Sequence, residues 1–83
     1  MNHILLVEDD LRLANLINKF LKQNGFQVSM LHQGDTVVDF LQKDSPDLII
    51  LDVMLPNEDG FTVCRKIRSS FTNPIIFLTA KDS

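Results

Sequence analysis

Three acids and one hydroxyl in this chain have the chemistry to handle a highly charged group: Glu8, Asp9, Asp52 and Thr79. Each stands at the end of a short apolar run. HILLV (3–7) leads to Glu8 and Asp9, LIIL (48–51) leads to Asp52, and IIFL (75–78) leads to Thr79. A charge released from a buried run is costly unless it is solvated, paired or bound to metal. If these runs end side by side, the carboxylates repel unless a proton or a cation sits between them. An all-oxygen set with no His or Cys nearby favours a hard dication. Mg2+ suits it, because it takes one or two carboxylates, keeps several waters and accepts phosphate oxygens. The Met54 main-chain oxygen, in the loop after Asp52, is the candidate further donor. With the charge of an incoming phosphoryl group neutralised, Asp52 is free to attack it and form an aspartyl phosphate. Thr79 is then placed to bond a phosphoryl oxygen. Spacing alone also suits blander roles, with Asp9 and Asp10 as helix caps and Thr79 as an ordinary strand end.

The elements that must position these residues follow from the hydrophobic pattern. The runs at 3–7, 48–52 and 75–78 are short, unbroken and bounded by turn residues, as in strands buried on both faces. The stretch 48–60, LIILDVMLPNEDG, carries Asp52 at a strand exit and continues into a Pro-Asn turn. Between the first runs, Leu13, Leu16, Ile17, Phe20 and Leu21 recur at helical spacing over 11–24, and Gly25 is placed to stop the helix. The segment 26–31 reads as a strand whose Gln27 and Ser29 suggest an edge position. Gly34 and Asp35 make a turn before a short helix to about Lys43. A third helix is expected over 61–70, with Phe61, Cys64, Ile67 and Phe71 on its apolar side.

Strands alternating with helices predict a doubly wound parallel α/β sheet with helices on both faces. Ligands bind such sheets at the carboxyl edge, where the strand order reverses. With the order 2-1-3-4, the first and third strands are neighbours at that point, and Glu8, Asp9 and Asp52 converge there.

Composition narrows the class. The chain has 83 residues, 45% of them hydrophobic, and a net charge of -3, which suits one globular domain spanning 1–83 and argues against a disordered chain. No basic patch marks nucleic-acid binding. The single cysteine, Cys64, rules out an internal disulfide and reads as core packing. The N-terminus lacks the features of a signal peptide, and no run approaches a membrane span, so a cytoplasmic protein is expected. His3 and His32 are isolated and read as surface or strand-end residues. The absence of GxGxxG and GxxxxGK strings argues against nucleotide binding.

The ordered set ILLVEDD, PDLIILDVMLP with a following DG, and PIIFLTA resembles the receiver domain of bacterial two-component response regulators along the whole chain. The DVMLP form is most similar to regulators whose receiver precedes a winged-helix DNA-binding domain. The resemblance implies a flavodoxin-like fold and makes Asp52 the acceptor of a phosphoryl group from a sensor histidine kinase, with a transcriptional output downstream. It implies Asp9 as a direct Mg2+ ligand, Glu8 as an acidic partner acting through water, and Met54 as a ligand through its main-chain oxygen. Thr79 becomes the switch hydroxyl and Ala80 the small residue beside it. Met54 and Lys81 take the positions that tune phosphoryl lifetime.

A complete receiver has five strand-helix units, and this chain holds about three and a half. The expectation is a truncated receiver without the fourth helix, fifth strand, fifth helix and the family's phosphoryl-pairing lysine. Ile75 to Leu78 would then be an exposed apolar edge that invites another chain. This suggests a homodimer or a strand-exchanged partner, with DNA reached only through an output domain that this sequence does not include. Two rivals stand beside this reading. One is a receiver-like interaction module that is not phosphorylated. The other is a phosphohydrolase working through an aspartyl phosphate, against which Met54 stands where a second aspartate belongs.

Overall fold

The computed structural model describes residues 2–78. Four strands form one parallel sheet: β1 (His3–Val7), β2 (Gln27–Leu31), β3 (Leu48–Asp52) and β4 (Ile75–Leu78). Their order is β2-β1-β3-β4, the predicted 2-1-3-4. Three helices connect them: α1 (Leu11–Gln23), α2 (Val37–Lys43), entered through a 3-10 turn at Gly34–Thr36, and α3 (Gly60–Ile67).

The sheet divides its side chains by parity. Leu5 and Val7 of β1 and Ile49 and Leu51 of β3 enter a core with Val37, Leu55, Val63, Ile67 and Phe71 under α2 and α3. Ile4 and Leu6, also buried, point to the opposite face with Ala14 and Leu21 of α1. All five residues of β1 are buried, as its position between β2 and β3 demands. β2 is an edge strand, as Gln27 and Ser29 suggested, and Gln27 is exposed.

Local chemistry fixes the helix ends. The Asp10 carboxylate accepts from the backbone N–H groups of Arg12 (3.0 Å) and Leu13 (3.2 Å), capping α1. At the other end Gly25 adopts φ +87°. The N–H of Gly25 donates to Lys22 and that of Phe26 to Leu21, the paired bonds of a Schellman stop. That motif ends α1 at Gln23 and delays β2 to Gln27, each one residue inside the expected limits.

The third helix departs further from expectation. It ends at Ile67 rather than near Ser70, because the Ile67 carbonyl accepts from the backbone N–H groups of both Ser70 (3.0 Å) and Phe71 (2.8 Å) and turns the chain. Its buried side is Gly60, Val63 and Ile67. Phe61, expected on the apolar side of the helix, is 49% exposed. It packs instead on Phe77 of β4, with ring centroids 4.9 Å apart.

Candidate functional site

β1 and β3 pair in register, with Val7 opposite Leu51. The next residues, Glu8 and Asp52, therefore leave the same sheet edge side by side. This is the reversal point of the strand order, since β2 follows on one side and β4 on the other.

Glu8 is 3% exposed and Asp52 6% exposed, while Asp9 faces solvent. One carboxylate oxygen from each of Glu8, Asp9 and Asp52 lies within 4.8 Å of the others. Some charge is already met by backbone donors. The Asp10 N–H donates to Glu8 Oε2 at 2.9 Å and the Met54 N–H to Asp52 Oδ1 at 3.1 Å. That is insufficient for Glu8. Burial, reinforced by hydrogen bonding and repulsion from Asp52, pushes its carboxyl up from 4.5 to about 7, against the lowering effect of the Asp10 N–H.

This donor set fits a hard divalent cation. The three groups are all oxygen donors, two of them buried, and a cation among them would offset both the burial and the mutual repulsion of the carboxylates. The ion pairs among the described residues lie elsewhere, at Lys66–Glu58 and His3–Asp44. Asp10, the other acid of the run, is occupied in capping α1, which leaves Asp9 available to the cluster.

The loop after Asp52 is shaped by glycine. The Gly60 N–H donates to the Val53 carbonyl at 2.8 Å. A Cβ at Gly60 would stand 2.3 Å from the Asp52 carbonyl oxygen, so only glycine lets α3 start this close to the acid. Gly34 does the same from the other side, where a Cβ would lie 2.1 Å from the Glu58 carbonyl oxygen. Asn57, between them, sits at φ +69°, the left-handed region that Asn tolerates better than most residues.

Of the sequence-derived candidates, Glu8, Asp9 and Asp52 come together. The Met54 side chain is 68% exposed, and its backbone follows Asp52 out of the sheet. Thr79, Ala80 and Lys81 lie outside the described residues; β4 reaches the same edge with Leu78 opposite Asp52. The expectation of no histidine near the acids is corrected. His32 follows β2, and its Nδ1 lies 2.9 Å from the Glu8 carbonyl oxygen. The signal was positional: Val7 pairs with Leu31, which brings the residues after them, Glu8 and His32, to adjacent places.

Comparison with known proteins shows the family and the fold. Residues 4–83 match the family model described as the response regulator receiver domain. The chain is 41% identical over 83 residues to the transcriptional regulatory protein RstA of Escherichia coli K12, covering 100% of this chain and 35% of that protein. It thus spans about a third of the curated relative's length. It is similar to the crystal structure of the BeF3-activated N-terminal receiver domain of Klebsiella pneumoniae RstA, with TM-score 0.92 and 39% identity over 99% of this chain and 70% of that one. It is also similar to the response regulator TrrA of Thermotoga maritima in complex with Mg2+ and BeF, with TM-score 0.91 and 29% identity over 99% of this chain and 72% of that one.

Proposed function

The chain belongs to the response regulator receiver domain family, and from that premise we propose that Asp52 accepts a phosphoryl group from a phosphohistidine of a sensor histidine kinase. The observation that carries the reading is the meeting of Glu8, Asp9 and Asp52 oxygens within 4.8 Å at the reversal point of the sheet. In the transfer, an Asp52 carboxylate oxygen forms the new O–P bond as the N–P bond of the phosphohistidine breaks. The departing imidazole nitrogen keeps the electron pair.

Asp9, Glu8, Asp52 and the Met54 main-chain oxygen would hold Mg2+, with Glu8 as the acidic partner acting through water. The Mg2+ and BeF complex of the similar Thermotoga regulator supports this choice of ion. When bound, the ion neutralises charge on the phosphoryl oxygens and the acids. Asp52 accepts the Met54 N–H, which orients its carboxylate, and the buried walls of β1 and β3 limit water at the nucleophile. The Thr79 hydroxyl bonds a phosphoryl oxygen and so reports the transfer. The pairing of Leu78 with Asp52, one residue earlier in sequence, supports that role.

The chain is read as one receiver unit over 1–83, acting in the cytoplasm as a signalling switch and not as a metabolic enzyme. No helix among the described residues is long and apolar enough to cross a membrane. In the whole regulator, DNA is contacted by an output domain outside this sequence. An exposed apolar β4, with Ile76 53% and Phe77 37% accessible, supports association with a second chain along this edge.

Acetyl phosphate with Mg2+, read by intact mass, tests the reading. Wild type gains one phosphoryl group, and Asp52→Asn gains none. A wild type that stays unlabelled where a complete receiver is labelled overturns the reading in favour of an interaction module. Steady turnover of a phosphate ester would instead indicate a phosphohydrolase.

A further inference from the structure

The parallel ladder between β1 and β2 has a distinctive end. The Glu8 N–H donates to the Leu31 carbonyl at 3.0 Å, the last backbone bond of the pair. In a parallel ladder, the next bond would run from the N–H of Gln33 to the Glu8 carbonyl. The chain has turned away by then, since β2 ends at Leu31. The His32 imidazole takes that place, with Nδ1 2.9 Å from the Glu8 oxygen. A carbonyl can only accept, so Nδ1 carries the proton.

The bond falls on an important peptide unit. The carbonyl of Glu8 belongs to the peptide that joins Glu8 to Asp9, two of the three acids in the cluster. Rotation of that plane would swing both carboxylates, one buried and one exposed. The Leu31 carbonyl holds the Glu8 N–H, which belongs to the preceding peptide, and His32 holds the Glu8 carbonyl of this one. The first bond is ordinary sheet structure, whereas the second is supplied by a side chain from a different strand.

We propose that His32 is a positioning residue for the acidic cluster, clamping the Glu8–Asp9 peptide through its Nδ1–H so that both carboxylates face the cation. This rests on the reading of the cluster as the Mg2+ site. His32 touches neither the ion nor the phosphoryl group. Its effect passes through one backbone carbonyl, as metal ligands are commonly oriented by groups behind them.

The test uses the 83-residue chain at one fixed pH. Three variants separate donor from bulk. His32→Ala removes both, His32→Phe keeps a ring without the donor, and His32→Asn restores an N–H near the position of Nδ1. Mg2+ affinity is measured calorimetrically, acetyl phosphate labelling by mass, and the Asp9 amide by NMR. Expected are about tenfold weaker Mg2+ binding in Ala and Phe, slower labelling, a displaced Asp9 amide signal, and recovery of all three in Asn. A residue that merely supports the fold would lower Tm and leave the Mg2+ affinity of the folded protein unchanged. Wild-type affinity in both Ala and Phe overturns the role of His32 alone. A wild type that neither binds Mg2+ nor labels on Asp52 overturns the site reading and the role of His32 with it.

Discussion

Glu8 carries an electrostatic cost that binding can relieve. Its carboxyl is raised to about 7 in the folded protein from 4.5, so the folded state holds a proton that the unfolded chain has already released. Its contribution to stability is therefore fully present below 4.5 and is lost as pH rises to about 7. Thermal unfolding of the metal-free protein across this range should show that decline, and Glu8→Gln should flatten it. Mg2+ must displace the same proton, so added Mg2+ should raise Tm more above pH 7 than below it. The acids themselves were legible in the sequence, because a charge following a doubly buried run is conspicuous. The contact of His32 was not. It depends on the residue-by-residue register of β1 against β2, which composition does not encode. The depth of Phe61 was not legible for a related reason: helical spacing marks an apolar side but does not say which apolar residues face the sheet, and Val63 took the buried place.

The loop from β3 to α3 sets how firmly Asp52 is held. Asn57 at φ +69° should accept glycine without loss, whereas Asn57→Val should cost about 1–2 kcal/mol in chemical denaturation. Gly60→Ala meets the Asp52 carbonyl oxygen at 2.3 Å, so backbone must move. It should reduce phosphoryl labelling even in protein that remains folded by circular dichroism. On the opposite side of the site, Asp10→Ala removes the α1 cap and should cost about 1 kcal/mol, with the Asp9 and Asp52 carboxylates retained. Strand positions were the most legible elements, since their apolar runs are bracketed by turn residues. The end of α3 was obscured because it is set by the Ile67 carbonyl gathering the Ser70 and Phe71 amides. Nothing in the side-chain pattern announces that turn.

On the scale of the whole molecule, one face of the sheet is only partly covered. Register places Leu6, Ile50 and Ile76 in one row across β1, β3 and β4, on the α1 side. Leu6 is fully buried there, while Ile76 is 53% exposed, and Leu16 and Phe20 of α1 are 66% and 62% exposed. Apolar side chains left exposed on a sheet edge and a helix promote association. Sedimentation should show concentration-dependent self-association, reduced by Leu16→Lys combined with Ile76→Lys; a monomer at all concentrations would remove this expectation. The opposite face offers a quieter property. The chain contains no Trp or Tyr and six Phe, and Phe61 of α3 lies tilted by 56° against Phe77 of β4. Each ring sits in the magnetic field of the other's circulating electrons, so their proton resonances should be displaced from those of the remaining phenylalanines. Any event at Asp52 that shifts β4 against α3 should then appear in an ordinary proton spectrum, with no label attached.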